Sequence, residues 1–292
     1  MKSIFLTLLL LLPLSAKLSI KTSYTTIAQL TQELAGDLAE VKALANPHFD
    51  PHFIVPRPSL IAKLRRADLL IINGAGLEMG WMKPLIDRSH NAHIQPNTQG
   101  FLDLSRTIHL TQQSQDSSRA FGDVHAQGNP HYLTDPYKLL EVASSITAKL
   151  SQLDPQNSVA YANKAAAFKQ RWESFLKSFD AKMSQCQNKN VISYHNLYSY
   201  FLDRYGFKNV ATIEPFAGIA PSSKHTLKVI MIMKKLQVKN ILQDVYHEKK
   251  TGKFIADKTG AKVVILPHDI NSVEEADSLE HLYTIYTDRL CN

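Results

Sequence analysis

The sequence predicts an α/β protein of two lobes, each a mostly parallel sheet flanked by helices, joined by one long rigid helix. Short apolar segments alternate with amphipathic helical stretches, a rhythm typical of parallel sheets. A chain of 292 residues with 44% apolar content can bury one large or two medium cores. A helical stretch from about Asn157 to Ser184 contains no glycine or proline and separates the halves. It predicts an N-terminal lobe over 17–154, a linking helix over 155–185 and a C-terminal lobe over 186–292.

The first sixteen residues are typical of an export signal. Lys2 precedes a leucine-rich run from Ile4 to Leu12, and Pro13, Ser15 and Ala16 resemble a processing site. The run is too short to be a permanent membrane span, and no cysteine follows it to accept a lipid. We therefore expect a signal peptide over residues 1–16 and a mature protein in an exported compartment, most simply a periplasm.

Elements of the first half follow from local patterns. The pattern predicts a strand over Leu18 to Ser23, a helix over Thr25 to Leu34, a helix opened by Pro58 and a buried strand over Asp68 to Ile72. Apolar residues spaced by three and four from Asn157 to Ser184 predict the longest helix, of roughly 40 Å at 1.5 Å per residue.

The second half repeats the alternation. Strands are expected at Val191 to Tyr194, Val238 to Leu242 and Lys262 to Leu266, with helices closed by Gly206, capped by Ser222 or Ser223, ended by Gly260, and spanning Ser278 to Leu290.

Charge and cysteine content limit the partners. The net charge is +7, but the basic residues are scattered rather than clustered in a stripe, so nucleic acid is not expected as a partner. Export would allow Cys186 and Cys291 to pair, and two unpaired buried thiols are an almost equal alternative.

Three histidines beside turn-forming residues suggest a metal site. His52 lies in a proline-rich loop, where His48 competes with it as a ligand and one of the two should face solvent. His131 follows Gly128 in a loop with His125, and Asp135 could orient an imidazole or, as we favour, cap a helix. His195 ends a predicted strand, where side chains of open α/β sheets face the ligand crevice. Three imidazoles would bind a borderline-soft cation.

A fourth ligand is expected after the last strand, in LPHDIN at 266–271. A carboxylate with three neutral imidazoles would close a tetrahedral site, which favours Asp269 over the adjacent His268.

Two further motifs have simpler interpretations. The GAG at 74–76 lacks the third glycine of a nucleotide-binding fingerprint and indicates a tight turn. His247 and Glu248 lack the second histidine of a zinc protease helix, so solvated residues at a helix start are expected.

Six segments together resemble the zinc and manganese substrate-binding proteins of ABC transporters, the ZnuA-like family. They are DPHFIVPRPS (50–59), ADLLIINGAGLEMGWM (67–82), GNPHYLTDP (128–136), SYHNLYSYFLDRYGF (193–207), EPFAGIAPSSKH (214–225) and TGAKVVIL (259–266). The resemblance implies two lobes around a metal that is delivered to an inner-membrane ABC permease, by a monomer without enzymatic activity. Its ligand positions fall on His52, His131 and His195. The spacing around LPHDIN differs from the family pattern, which leaves the fourth ligand open between Asp269, His268 and water.

Metal identity follows from the ligands. Three imidazoles and one oxygen suit Zn²⁺, the expected transported ligand, whereas a set richer in carboxylates would suit Mn²⁺. The His-rich loop of many zinc members is missing, and His125 is what remains there. An exported three-histidine zinc hydrolase and an adhesin-like surface protein are the alternatives.

Overall fold

Two four-stranded parallel sheets form the framework of this computed structural model, which describes residues 17–112, 127–216 and 218–291. The first sheet has the order β2-β1-β3-β4 and the second β6-β5-β7-β8. This arrangement confirms the predicted fold class. The strands are β1 Leu18–Thr22, β2 Ala39–Ala43, β3 Leu69–Ile72, β4 Phe101–Asp103, β5 Asn190–Ser193, β6 Lys208–Thr212, β7 Asn240–Gln243 and β8 Lys262–Ile265. The expected export signal and His125 lie outside the described residues.

Helices connect successive strands and cover the sheets. Their first and last residues follow the expected signals: Pro58 lies in the first turn of its helix, the Ser222 side chain accepts a hydrogen bond from the His225 N–H, and Gly260 adopts a left-handed conformation after a helix ends. No helix among the described residues is long and apolar enough to cross a bilayer. The helices are α1 Thr25–Ala35, α2 Pro58–Leu64, α3 Met82–Ser89, α4 Lys138–Leu153, α5 Ser158–Met183, α6 Ser199–Arg204, α7 Ser223–Leu236, α8 Lys249–Thr259 and α9 Leu279–Leu290.

Helix α5 connects the two halves, as the sequence predicts. Its 26 residues span about 39 Å, and a row of buried aromatic and aliphatic side chains packs it against α1, α4 and α9. Arg171 on α5 reaches both halves at once, because its guanidinium bonds Glu33 of α1 and Glu280 of α9. The Trp172 indole donates to the Pro136 carbonyl at 2.8 Å. These contacts hold α5 as a strut between the sheets.

A disulfide joins Cys186 and Cys291 across 105 positions of sequence. It decides between the two alternatives left open for these cysteines. The bond links the segment after α5 to the residue after α9, so it holds the C-terminal end of α9 close to the C-terminal end of α5.

Candidate metal site

Three buried imidazoles meet between the two sheets. His52 lies in the loop after β2, His131 in the connection from β4 to α4, and His195 directly after β5. Each offers a ring nitrogen, and the three nitrogens lie within 4.8 Å of one another. The Nε2 atoms of His131 and His195 are 3.2 Å apart. Two nitrogens on one tetrahedral Zn²⁺, each at about 2.0–2.1 Å, would be about 3.3 Å apart, so the observed separation fits one ion.

The His52 loop is fixed by the residues around it. Tyr24 and Trp81 both donate to the Pro51 carbonyl, at 3.1 and 3.0 Å, and the His52 backbone N–H donates to the Asp50 carboxylate at 2.9 Å. His48, four residues earlier, is exposed. The prediction that one of these two histidines faces solvent is confirmed.

His131 is held by two asparagines. Its backbone N–H donates to the side chain of Asn129 at 2.9 Å, and the Asn73 amide donates to the Pro130 carbonyl at 2.9 Å. The Asn129 amide also donates to Ser199 Oγ, at 2.8 Å, which connects this loop to the second lobe beside His195.

Carboxylates orient two of the three rings. Asp50 Oδ1 lies 2.7 Å from His52 Nδ1, and Glu214 Oε2 lies 3.1 Å from His195 Nδ1. Such partners fix the tautomer and make the opposite nitrogen a better ligand. Although burial opposes it, hydrogen bonding to His52 lowers the pKa of Asp50 below its ordinary value. The contacts at Nδ1 therefore orient both rings, and Nε2 is the nitrogen that each would offer to an ion.

Glu214 also belongs to a row of buried charged residues, with His247 and Asp244, that the sequence analysis did not predict. Its second oxygen lies 3.5 Å from His247 Nε2, and His247 Nδ1 bonds Asp244 at 2.6 Å. Burial acts against both charges, but hydrogen bonds from His195 and His247 lower the pKa of Glu214 to about 2, and those to Asp244 and Glu214 raise the pKa of His247 to about 9. At neutral pH, Glu214 is a carboxylate and His247 an imidazolium.

The surroundings of His247 contradict the expectation that it is solvated, whereas those of Glu248 support its expected place at a helix start. His247 is not a solvated residue, because 12% of its side chain is exposed and both ring nitrogens face carboxylates. Glu248 does cap α8, since its carboxylate accepts from the Lys250 and Thr251 N–H groups.

Asp269 does not join the three-histidine cluster. Its carboxylate instead accepts from the Thr25 N–H at 3.0 Å and from the Thr26 N–H and hydroxyl at 2.6 and 2.5 Å, at the start of α1. Tyr24, at the cap position of α1, provides no side-chain cap, and Asp269 fills that role from the other lobe. The prediction of Asp269 as fourth ligand finds no support in this arrangement.

Two other candidates near the cluster have different surroundings. Burial lowers the pKa of His268, whose Nδ1 is buried without a hydrogen-bond partner in the part of the chain that the structure describes. His268 lines a small cavity of about 40 Å³ together with His131 and Asp269. Asp135 accepts from the Tyr137 N–H at 3.0 Å and from Arg204 at 2.6 Å, so it stabilises the turn before α4. The expected capping role is wrong, because Tyr137 occupies the cap position of α4 and no side chain among the described residues caps this helix.

The GAG segment forms the tight turn expected of it. Gly74, Ala75 and Gly76 all have positive φ angles. The Glu78 carboxylate accepts from the Asn73 and Gly74 N–H groups at 2.8 and 3.0 Å, where a nucleotide site would hold phosphate.

Two α/β lobes around buried imidazoles define a two-lobed solute-binding protein with a candidate metal site. The family described as "ZnuA: Zinc-uptake complex component A periplasmic" matches residues 20–287, and the chain belongs to this family. Its members are metal-binding components of ABC importers and not enzymes, which confirms the prediction that the chain is not an enzyme.

Similar proteins carry names for different metals. The zinc-binding lipoprotein AdcA of Streptococcus pneumoniae (strain ATCC BAA-255 / R6) is 23% identical over 266 residues, which cover 90% of this chain and 52% of AdcA. The chain thus spans about half the length of that relative. The iron-binding protein YfeA of Yersinia pestis is 25% identical over 84% of this chain and 75% of its own. A crystal structure of ZnuA matches with a TM-score of 0.79 at 22% identity, covering 94% of this chain and 98% of that one, and supports the fold.

Proposed function

We propose that this protein captures Zn²⁺ between its lobes in a periplasm and delivers it to an ABC permease of the inner membrane. The single observation that carries the proposal is the convergence of His52, His131 and His195, whose ring nitrogens lie within 4.8 Å of one another. Membership of a zinc-uptake family supports the same function. On this proposal the protein is exported by residues 1–16 and acts as a monomer.

The donor set favours zinc over manganese. The proposed ligands are three neutral imidazole nitrogens, and a water molecule completes the tetrahedron. Asp50 and Glu214 already bond the far side of two rings, so their charge stabilises a bound cation without supplying ligand oxygens. Mn²⁺ prefers oxygen ligands, and a site of three imidazoles suits Zn²⁺ better.

Single alanine substitutions test the ligands. We expect His52→Ala, His131→Ala and His195→Ala each to weaken zinc binding beyond the roughly tenfold to hundredfold change that follows loss of an outer partner. The matched control is His48→Ala, which removes an exposed imidazole from the same loop and should leave affinity unchanged. Competition with a chromogenic chelator measures the constants, and wild-type affinity in all three variants would refute the site.

Competition between metals tests the identity of the cargo. The untagged protein should acquire zinc when equal concentrations of Zn²⁺, Mn²⁺ and Fe²⁺ are offered, as measured by elemental analysis. Preferential loading with manganese would replace zinc in this proposal while leaving the three-histidine site in place.

A further inference from the structure

Helices α7 and α8 form the outer layer of the second lobe. Val229 and Met233 of α7 and Ile255 of α8 are buried in an apolar cluster beside the strands of the second sheet, and the two helices contact each other. Their opposite sides are exposed. We call this surface the lysine face; it consists of Lys224, Leu227, Lys228, Met231 and Lys235 on α7 and Lys250, Lys253, Phe254 and Lys258 on α8.

The positive charge of the protein is concentrated in this part of the chain. Residues 223–262 contain ten lysines and three acidic residues, a net charge of +7, whereas the other 252 residues contain 23 basic and 23 acidic residues. Of the three acidic residues, Asp244 is buried against His247, and Asp257 pairs with Lys253. The expectation that the basic residues are scattered rather than clustered is therefore wrong. Six of the ten lysines belong to the lysine face, and an excess of positive charge on one face attracts anionic partners.

Large apolar side chains stand among these lysines. Leu227 and Met231 are 59% and 64% exposed and lie one turn apart on α7, and Phe254 on α8 is 46% exposed. Lys224, Lys228 and Lys235 lie on the same side of α7, since they are three or four residues from Leu227 or Met231. Residues on the opposite side of both helices pack into the core. Packing within the fold therefore does not explain why these apolar residues are on the exposed side.

We propose that the lysine face binds the surface of an anionic lipid bilayer. Lysines flanking apolar side chains match the layered chemistry of that surface: the ammonium groups meet lipid phosphates while the apolar tips enter the acyl boundary. A purely electrostatic partner would leave Leu227, Met231 and Phe254 in water. The proposal goes beyond metal capture, because the lysine face shares no residue with the three-histidine cluster.

Vesicle sedimentation of the full mature chain tests the proposal. We expect strong binding to vesicles of phosphatidylglycerol and phosphatidylcholine at low salt, and much weaker binding to pure phosphatidylcholine, to which only the apolar side chains would contribute. The triple variant Lys224→Gln, Lys228→Gln, Lys235→Gln should partition about a hundredfold less, since each lysine near an anionic surface contributes roughly a factor of five. The matched control Lys63→Gln, Lys164→Gln, Lys177→Gln removes the same charge from exposed positions elsewhere and should bind as the wild type does.

A second variant separates apolar from electrostatic binding. Leu227→Ser with Met231→Ser keeps every lysine and should lose the part of the binding that survives 0.5 M NaCl. Unchanged zinc affinity in all variants shows that each is folded. Absence of binding to the anionic vesicles, equal loss in both lysine triples, or binding to an acidic protein without binding to vesicles would overturn the lipid assignment.

Discussion

The replacement Asp269→Asn separates two roles for a buried carboxylate. Asp269 is 2% exposed and bonds the first turn of α1 from the opposite lobe. The amide keeps the size of the side chain and one acceptor oxygen, but it removes the charge and turns an N–H donor toward the Thr25 N–H. The variant thus weakens the cap of α1 while leaving the three imidazoles untouched.

The expected loss of stability follows from these contacts. Removal of a helix cap costs about 1 kcal/mol. An anion at a partly buried helix N-terminus contributes up to about 2 kcal/mol in addition. We therefore expect the free energy of unfolding of the metal-free protein to fall by about 2–3 kcal/mol. Zinc affinity should stay within about threefold of wild type, because a residue outside the cluster gives up no bond to the ion.

Urea unfolding and chelator competition measure the two quantities on the same preparation. Asp257→Asn, which affects an exposed pair with Lys253, is the control and should change stability by less than about 0.5 kcal/mol. If Asp269→Asn leaves stability unchanged and weakens zinc binding a hundredfold, Asp269 is a ligand and the reasoning above fails.

Three further predictions concern the outer partners and the cross-link. Glu214→Gln should weaken zinc binding tenfold to hundredfold in chelator competition, because His195 loses its orienting carboxylate; an unchanged constant would contradict that role. Cys186→Ser should lower stability to urea by about 2–4 kcal/mol, below the limit of roughly 5 kcal/mol for closing a loop of this length, and reductant should then have no further effect. The pKa of His247 is about 9 in the fold, above its ordinary value of 6.5, so its proton stabilises the metal-free protein fully below pH 6.5 and this contribution is lost as the pH rises through 9. His247→Gln should flatten the plot of unfolding free energy against pH in that window. An unaltered slope would contradict the charged state of His247 in the fold.

Local patterns predicted the elements that carry their own signals. Helix α5 follows from its spacing and the absence of breakers, and α7 and α8 follow from Ser222 and Gly260. Strands β2, β4 and β6 escaped notice, as did α3 and α4. The strand β2, AEVKA, alternates small and charged residues, and β4 has only three residues, so neither has the apolar run that marks a buried strand.

The same distinction holds for the candidate site, in which local sequence predicts the histidines but not the contact between Glu214 and His247. Each of the three histidines adjoins a turn or a strand end, which is visible in one segment of sequence. The Glu214–His247 contact depends on strand order: β5 lies between β6 and β7, so the loops after those strands meet beside His195. Sequence predicts parallel strands but not their order. One signal in the sequence could have pointed to Glu214: the segment EPF (214–216) follows β6, a strand that the local patterns did not predict.

The sheet topology also has a consequence for folding kinetics. Every described strand pair is parallel, and even Asn190 and Lys208, close partners in sequence, are separated by a helix. Hairpins, which form in microseconds, are therefore unavailable as nuclei among these strands, and distant segments must meet first. We therefore expect the nascent polypeptide to stay unfolded for longer than a protein of the same size whose contacts are mostly local.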